Sequence, residues 1–155
     1  MATINSNPIF IDQKNVRLID ARGPRFAATI TAIILASALV THSKVLIGIQ
    51  LIVFAIGAFA GPQKTPYAFL FKQFVKPRLS GDVPTEDVRP PQFAQKVGLI
   101  FAVVALAGAL FGHPILFVVA TGFALAAAFL NSAFNFCLGC EMYLLIARAT
   151  HRFRK

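Results

Sequence analysis

The sequence predicts an all-α integral membrane protein with two transmembrane helical hairpins, giving four spans, and an interfacial helix after each hairpin. Of its 155 residues, 57% are hydrophobic and only 14% are charged, with a mean hydropathy of +0.70. This composition is typical of membrane proteins. The uncharged runs come in two pairs, and each pair is interrupted by a short polar turn. We therefore expect residues 1–155 to form one membrane domain.

The N-terminal segment, residues 1–25, interleaves apolar side chains with charged ones. This pattern predicts a segment that lies on the cytoplasmic surface of the membrane, with a partly ordered tail as the alternative. The segment has no apolar core followed by a cleavage pattern, so we expect no secretory signal. The first apolar run is then retained as a span.

The first predicted hairpin covers residues 26–61, after a break at Gly23-Pro24. Its runs, 26–40 and 45–61, are 15 to 17 residues long, shorter than the roughly 20 residues that usually span a bilayer. A soluble core is disfavoured because the runs have no continuous polar stripe. A re-entrant hairpin is disfavoured because Lys44, in the turn, would cost about 3 kcal/mol at the bilayer centre. The turn should therefore emerge on the far side.

A cytoplasmic loop, residues 62–96, is expected to join the hairpins. Thr65 and Pro66 are a favourable helix start, a cap followed by proline at the first position. They predict an amphipathic, interfacial helix over residues 67–75. Four prolines then predict an irregular loop over residues 77–91.

The second predicted hairpin covers residues 97–134, with runs at 97–111 and 115–130. Pro114 fits the first position of its second helix. Residues 135–155 close the chain with a Cys-x-x-Cys motif, a second interfacial helix and a basic tail.

Lysine and arginine are distributed asymmetrically about these spans. Four precede the first run, six lie between the hairpins and four follow the second, whereas Lys44 alone lies at a hairpin tip. The positive-inside rule predicts a multi-pass plasma-membrane (inner-membrane) protein with both termini, the central loop and the cysteines in the cytoplasm. The net charge of +9 is thereby explained as a topology signal that faces lipid headgroups, and no nucleic acid is expected as a partner.

The two halves also resemble one another in sequence. Pro24-Arg25-Phe26-Ala27 matches Pro91-Gln92-Phe93-Ala94 where each hairpin opens, and a histidine lies at each tip. Two halves that enter from the same side would form a parallel repeat about an axis along the membrane normal. Chance similarity between apolar sequences is the alternative.

The candidate catalytic residues are Cys137, Cys140 and Glu141. The two cysteines are the only ones in the chain, and their spacing places them within reach of a disulfide. A helix that starts near Asn135 would favour a thiolate at Cys137, so that Cys137 attacks and Cys140 resolves. Glu141 would raise the thiol pKa or accept the proton. Two alternatives stay open, a buried structural pair and a metal shared by four thiolates in a dimer. We predict no cofactor or metal site within one chain.

Three motifs together resemble a known family. They are Asp20-x-x-Gly23-Pro24-Arg25-Phe26, then Glu86-Asp87-Val88-Arg89-Pro90-Pro91-Gln92-Phe93-Ala94, and Cys137-Leu138-Gly139-Cys140-Glu141-x-Tyr143. The chain is similar, from about Asp12 to Arg148, to DUF4395, a family of small bacterial membrane proteins that is common in actinobacteria. Its genes often lie beside those of thioredoxin-like and sulfurtransferase proteins. The resemblance thus implies thiol or sulfur chemistry without assigning an activity.

Three functions are compatible with these patterns. The first is a membrane-bound thiol–disulfide or sulfur-handling protein whose partner is thioredoxin-like or a sulfurtransferase. The second is a non-catalytic accessory subunit of a larger membrane complex, or a homo-oligomer, packed through its Gly-x-x-x-Gly segments. The third is a small oligomeric transporter. Whether the protein is an enzyme is left open by the sequence.

Overall fold

The computed structural model describes residues 17–154, and this part of the chain is mostly helical. Of the N-terminal surface segment predicted over residues 1–25, residues 1–16 lie outside the described residues, as does Lys155, and the rest forms β1 and the start of α1. The elements in chain order are strand β1 (Leu18–Asp20), helices α1 (Arg22–Thr41), α2 (Lys44–Phe59) and α3 (Pro66–Leu70), strand β2 (Thr85–Asp87), and helices α4 (Arg89–Leu110), α5 (Pro114–Phe134) and α6 (Leu138–Phe153). Short 3-10 turns flank α3, at Pro62–Lys64 and Lys76–Arg78.

Three helices are long and apolar enough to cross a membrane. Helices α1, α4 and α5 contain 20, 22 and 21 residues, which correspond to about 30 Å at 1.5 Å per residue. At most a quarter of the residues in each are buried inside the protein, so their outer side chains contact lipid. Helix α2 is apolar but has only 16 residues. The chain is a multi-pass membrane protein.

Two expected interruptions are in fact helix starts. Helix α1 begins at Arg22 and α4 at Arg89, so Pro24, Pro90 and Pro91 lie in first turns rather than in a break or a loop. The N–H groups of a first turn have no partner within the helix, so proline loses nothing by lacking one. The predicted starts at residues 26 and 97 were therefore too late, because the apolar runs omit the charged and proline-containing first turns.

The described residues also contain two short strands that the all-α prediction omits. Strands β1 and β2 pair antiparallel, with Leu18 opposite Asp87 and Asp20 opposite Thr85. Strand β2 falls in the segment predicted as an irregular loop. The two strands are far apart in the chain, so no pattern within either three-residue segment could have predicted their pairing. This pairing ties the segment before α1 to the segment before α4, with α1 and α4 starting at opposite ends of the strand pair.

Side-chain contacts place two further helix ends beside these starts. The side-chain Nε2 of Gln92 donates to the Ala58 carbonyl at 3.0 Å, which places the end of α2 beside the start of α4. Arg25 Nε donates to the Ser132 carbonyl at 3.1 Å, which locates the end of α5. We call this end of the bundle, where α1 and α4 begin and α2 and α5 end, the basic end.

The two halves of the structure repeat each other. Each half runs strand, helix, helix, short polar connection and shorter helix, and α1 packs on α5 as α2 packs on α4. The same ion pair opens both halves, Asp20 with Arg22 and Asp87 with Arg89. The equivalence extends the sequence match well beyond four letters and indicates an internal duplication.

The hairpin tips enclose the main apolar core. Its buried side chains come from all four long helices, and the ring of His42, at the end of α1, contacts that of Phe117. His42 has a φ of 50°, the left-handed conformation that ends a helix. The core members are Leu35, Ala38, Ile47, Ala105, Phe117, Ala120 and Ala124.

Helix α3 is more deeply packed than the predicted interfacial helix. It runs over Pro66–Leu70 and continues as a π-helical turn over Phe71–Val75, and Tyr67 and Phe71 are buried. The Tyr67 hydroxyl donates to Gln50 Oε1 at 2.8 Å, and Gln50 Nε2 donates to Thr31 Oγ1 at 3.3 Å. This chain of hydrogen bonds, which we call the Tyr67 network, joins α3 to α2 and α1.

Candidate functional site

Cys137 and Cys140 form a disulfide at the N-terminus of α6, with their Cα atoms 5.2 Å apart. Helix α6 begins at Leu138, three residues later than expected, because Asn135 ends α5 in a left-handed conformation with φ of 54°. Cys137 is therefore the N-cap of α6. The Cys140 backbone N–H donates to Cys137 Sγ at 3.3 Å, in the geometry that serine or threonine adopts at helix starts.

The internal repeat gives this cap a counterpart. Thr65 is the N-cap of α3, and its hydroxyl accepts from the Ala68 backbone N–H at 3.3 Å. Cys137 and Cys140 thus occupy positions that hold threonine and alanine in the first half. Both halves therefore have a side-chain-capped helix start at this position, with a hydroxyl as the acceptor in the first half and a sulfur in the second.

Gly139, between the cysteines, fixes the motif against α4. A Cβ atom built at Gly139 would lie 2.6 Å from both Cα and Cβ of Ala94, a separation that real atoms do not adopt. Only glycine allows the first turn of α6 to approach α4 this closely. The rings of Phe93 and Tyr143, 5.8 Å apart, extend the same contact.

Glu141 lies within the same turn as the cysteines, but its side chain is exposed. Its backbone N–H donates to the Cys137 carbonyl at 3.0 Å. A carboxylate in the first turn interacts favourably with the helix dipole. Both cysteines are half-buried. The structure therefore brings together all three predicted site residues, and leaves the sulfurs partly accessible.

A cavity of about 260 Å³ adjoins the disulfide, and Cys137 lines it. It extends from the basic end of the bundle, at Pro91 and Asn131, towards the rings of Phe101 and Phe123. Those rings stack with centroids 6.1 Å apart. The other lining residues are uncharged and mostly apolar, from α1, α2, α4, α5 and α6. The disulfide thus borders an apolar space inside the membrane domain.

Gln95 is the main polar group of this cavity that the sequence analysis missed. It lines the cavity from α4, and its Oε1 atom is buried without a hydrogen bond from any described residue. A Cβ atom at Gly57 would lie 2.7 Å from the Gln95 side chain, so α2 leaves room for this amide. A single glutamine just before the start of an apolar run does not indicate a functional site by itself.

Two carboxylates in the paired strands have shifted pKa values. The hydrogen bond from the Arg22 side chain lowers the pKa of Asp20. Burial raises the pKa of Glu86 to about 7. Neither residue was a predicted site residue, and neither lines the cavity beside Cys137. They belong to the framework of the basic end.

The described residues contain no group of three or more histidine, cysteine, aspartate or glutamate side chains that could hold a metal ion. The family model with the description "Domain of unknown function (DUF4395)" matches residues 19–148. The chain belongs to the DUF4395 family. This confirms the resemblance read from the three motifs. A search of curated proteins and a search of solved structures each found no match to this DUF4395 protein.

Proposed function

We propose that this DUF4395 protein is a membrane-bound thiol–disulfide exchange protein that acts through Cys137 and Cys140 at the cytoplasmic face. The observation that supports this most directly is the Cys137–Cys140 disulfide at a half-exposed helix start. A disulfide that served only to staple the fold would be expected to join distant segments, since stabilisation grows with loop length. This one closes a loop of two intervening residues.

In the proposed reaction, a thiolate of a partner dithiol attacks Cys137 Sγ. The Cys137–Cys140 bond breaks, a mixed disulfide forms at Cys137, and Cys140 leaves as a thiolate. The second partner thiol then attacks the mixed disulfide, so the partner is oxidised and this cysteine pair is reduced. In the reverse direction Cys137 is the nucleophile, and the Cys140 N–H, 3.3 Å from its sulfur, stabilises its thiolate.

The proposed topology has four spans, with α2 as the shortest. Lys44 is the one lysine or arginine at the hairpin tips, whereas the helix starts and ends at the basic end adjoin the arginine- and lysine-rich segments. This supports a cytoplasmic basic end, with both termini and the cysteines on that side. Helices α3 and α6 would then lie at the cytoplasmic headgroup level.

The proposed partner is a thioredoxin-like or sulfurtransferase protein that carries its own reactive cysteine. Arg25 and the tail residues Arg148, Arg152 and Arg154 lie on segments that surround or follow the cysteine motif. A cationic surface of this kind attracts an acidic partner and accelerates its association. The cysteines are only half-buried, which leaves part of the motif open to its approach.

The test is trapping in intact cells with a membrane-permeant thiol reagent that adds mass, before and after reduction. The Cys140→Ser variant should accumulate a mixed disulfide with a partner protein, because it cannot resolve the bond at Cys137. The Cys137→Ser variant is the matched control and should accumulate far less. If a trapped partner retains an extra sulfur atom, the protein transfers persulfide sulfur instead.

Unreactive cysteines in native membranes, tagged only after denaturation, would contradict the proposal. They would favour the alternative of an accessory subunit in a larger complex, in which the cysteines have a structural role. A partner that co-purifies equally with the double Cys137→Ser, Cys140→Ser variant would identify that complex.

A further inference from the structure

We infer that the cavity beside Cys137 binds a quinone, which accepts the electrons when the Cys137–Cys140 pair is re-oxidised. This inference rests on the proposed thiol–disulfide exchange and names the second substrate of the same site. After each exchange with a partner dithiol the pair is reduced, so the disulfide state requires a two-electron acceptor. Quinones are acceptors of this kind that dissolve in the bilayer.

The cavity has the size and depth of a quinone head group. Its volume of about 260 Å³ is near the lower end of ordinary ligand pockets, about 300 Å³, and suits one or two fused rings. One wall includes the stacked rings of Phe101 and Phe123, of which Phe123 is largely exposed on the outer face of α5, and a flat ring packs favourably against such rings. Its outer end reaches Cys137, so a bound ring would lie next to a reacting sulfur.

The polarity of the cavity favours the same class of ligand. Its lining contains no charged side chain, but it contains the amides of Gln95 and Asn131. A side-chain amide can donate to a quinone carbonyl and accept from a quinol hydroxyl. Gln95 Oε1 is buried beside Gly57 and accepts no hydrogen bond from the described residues, so a rotation of this amide towards the cavity would let it accept from a quinol hydroxyl.

The reaction balances without another reagent. The two S–H bonds of the reduced pair break and one S–S bond forms, which releases two electrons and two protons. The quinone takes up both, and its two carbonyl oxygens become the hydroxyls of the quinol. The apolar tail of a natural quinone would extend between the helices into lipid, and the quinol would leave by the same route.

The experiment uses the full-length protein, reduced and then freed of reductant, in lipid nanodiscs without oxygen. The probe is duroquinone, whose ring has no free position for addition of a thiol. Quinol formation and disulfide formation are measured together at increasing quinone concentration. Exchange with a thioredoxin-type protein is measured on the same preparations.

Ala127→Phe places a ring in the cavity, whereas Ala126→Phe, on the exposed side of the same helix, is the matched control. We expect one quinol per disulfide and a saturable rate. We expect Ala127→Phe to lower kcat/KM for duroquinone by about tenfold or more, because the added ring takes up space that the quinone needs. Ala126→Phe should change kcat/KM less than about twofold. Gln95→Leu should raise KM with little effect on thioredoxin exchange.

A rate that does not saturate, or that is equal in both alanine variants, would overturn the quinone site. So would a lipid that mass spectrometry finds in the cavity and that duroquinone does not displace. In either case, persistent thioredoxin exchange would leave the proposed function standing. Quinone oxidation without any thioredoxin exchange would support this inference and refute the proposed partner, and the absence of both would refute both.

Discussion

Single residues at the basic end of the bundle are selected by geometry more than by chemistry. Gly139 has no side chain because Ala94 of α4 occupies the space. Cys137 provides the capping acceptor that Thr65 provides in the first half. In both cases the backbone geometry restricts which side chain fits, and at position 137 both cysteine and threonine can supply the capping acceptor.

Replacing Gly139 should displace α6 from α4. We expect Gly139→Ala to lower the unfolding free energy by about 1–3 kcal/mol, the usual cost of overpacking, and to make the cysteines more reactive. Gly122→Ala is the matched control, because a Cβ atom there meets nothing within 4 Å. Thermal unfolding in detergent and the rate of thiol labelling after reduction measure both effects. Equal stability of the two variants would contradict the close contact.

The Tyr67 network is a second residue-level constraint. Burial raises the pKa of Tyr67 to about 12, so its hydroxyl remains a donor to Gln50 at all physiological pH values. Tyr67→Phe leaves the buried Gln50 Oε1 without this donor and should cost about 1 kcal/mol of unfolding free energy. Tyr143→Phe, which keeps its ring contact with Phe93, should cost less. In the Gln50→Leu background the Tyr67→Phe effect should largely disappear.

At the scale of elements, the paired strands β1 and β2 hold the two halves together at the basic end. They are only three residues each, yet they fix the first turns of both hairpins. Each strand is followed by an aspartate-to-arginine ion pair. The pair is non-local, so its stability depends on the helices that bring the strands together.

Glu86 makes this strand pair sensitive to pH. Burial raises its pKa from 4.5 to about 7, so the folded state binds a proton more tightly than the unfolded state. Its contribution to stability is fully present below pH 4.5 and is lost as pH rises through 7. Melting temperature should therefore fall across this interval, and Glu86→Gln should flatten the profile. Asp20, whose pKa is lowered from its ordinary value of 3.8, acts in the opposite direction and only at acidic pH. A Glu86→Gln profile that keeps the wild-type slope would exclude this residue as the cause.

At the scale of the whole molecule, each of the four long helices has one terminus that adjoins a basic segment. The repeat places these four termini at the same end of the bundle. The opposite end carries the hairpin tips and Lys44. This polarity is the physical basis of the proposed topology, since cytoplasmic segments retain lysine and arginine. The cysteine motif shares the basic end with the central loop.

The topology can be tested with single cysteines in the Cys137→Ser, Cys140→Ser background. An impermeant thiol reagent applied to intact cells should label Ser43→Cys at the first tip, because the proposed topology places this turn outside. Ser80→Cys, which is exposed in the central loop, should react only after the membrane is opened. Labelling of both from outside, or of neither, would refute four spans with cytoplasmic termini.

Much of the fold could be predicted because its main signals are local. Apolar runs without a polar stripe indicated membrane helices, and short polar turns indicated hairpins. Helix starts were placed late, since proline reads as a breaker in sequence but is neutral in a first turn. The strand pair and the burial of Tyr67 were missed, because both depend on contacts between segments far apart in the chain.

The class of protein, the family, the asymmetry of charge and the cysteine pair were all recognisable in the amino-acid sequence alone. These follow from composition, short motifs and spacing, which need no contact with another segment to be recognised. The folded arrangement was needed to show that Cys137 caps a helix pressed against Ala94, and that its sulfur borders an apolar cavity beside Gln95. No local sequence pattern could have predicted the cavity, because it belongs to no single segment. It is the space that remains where five helices pack together incompletely.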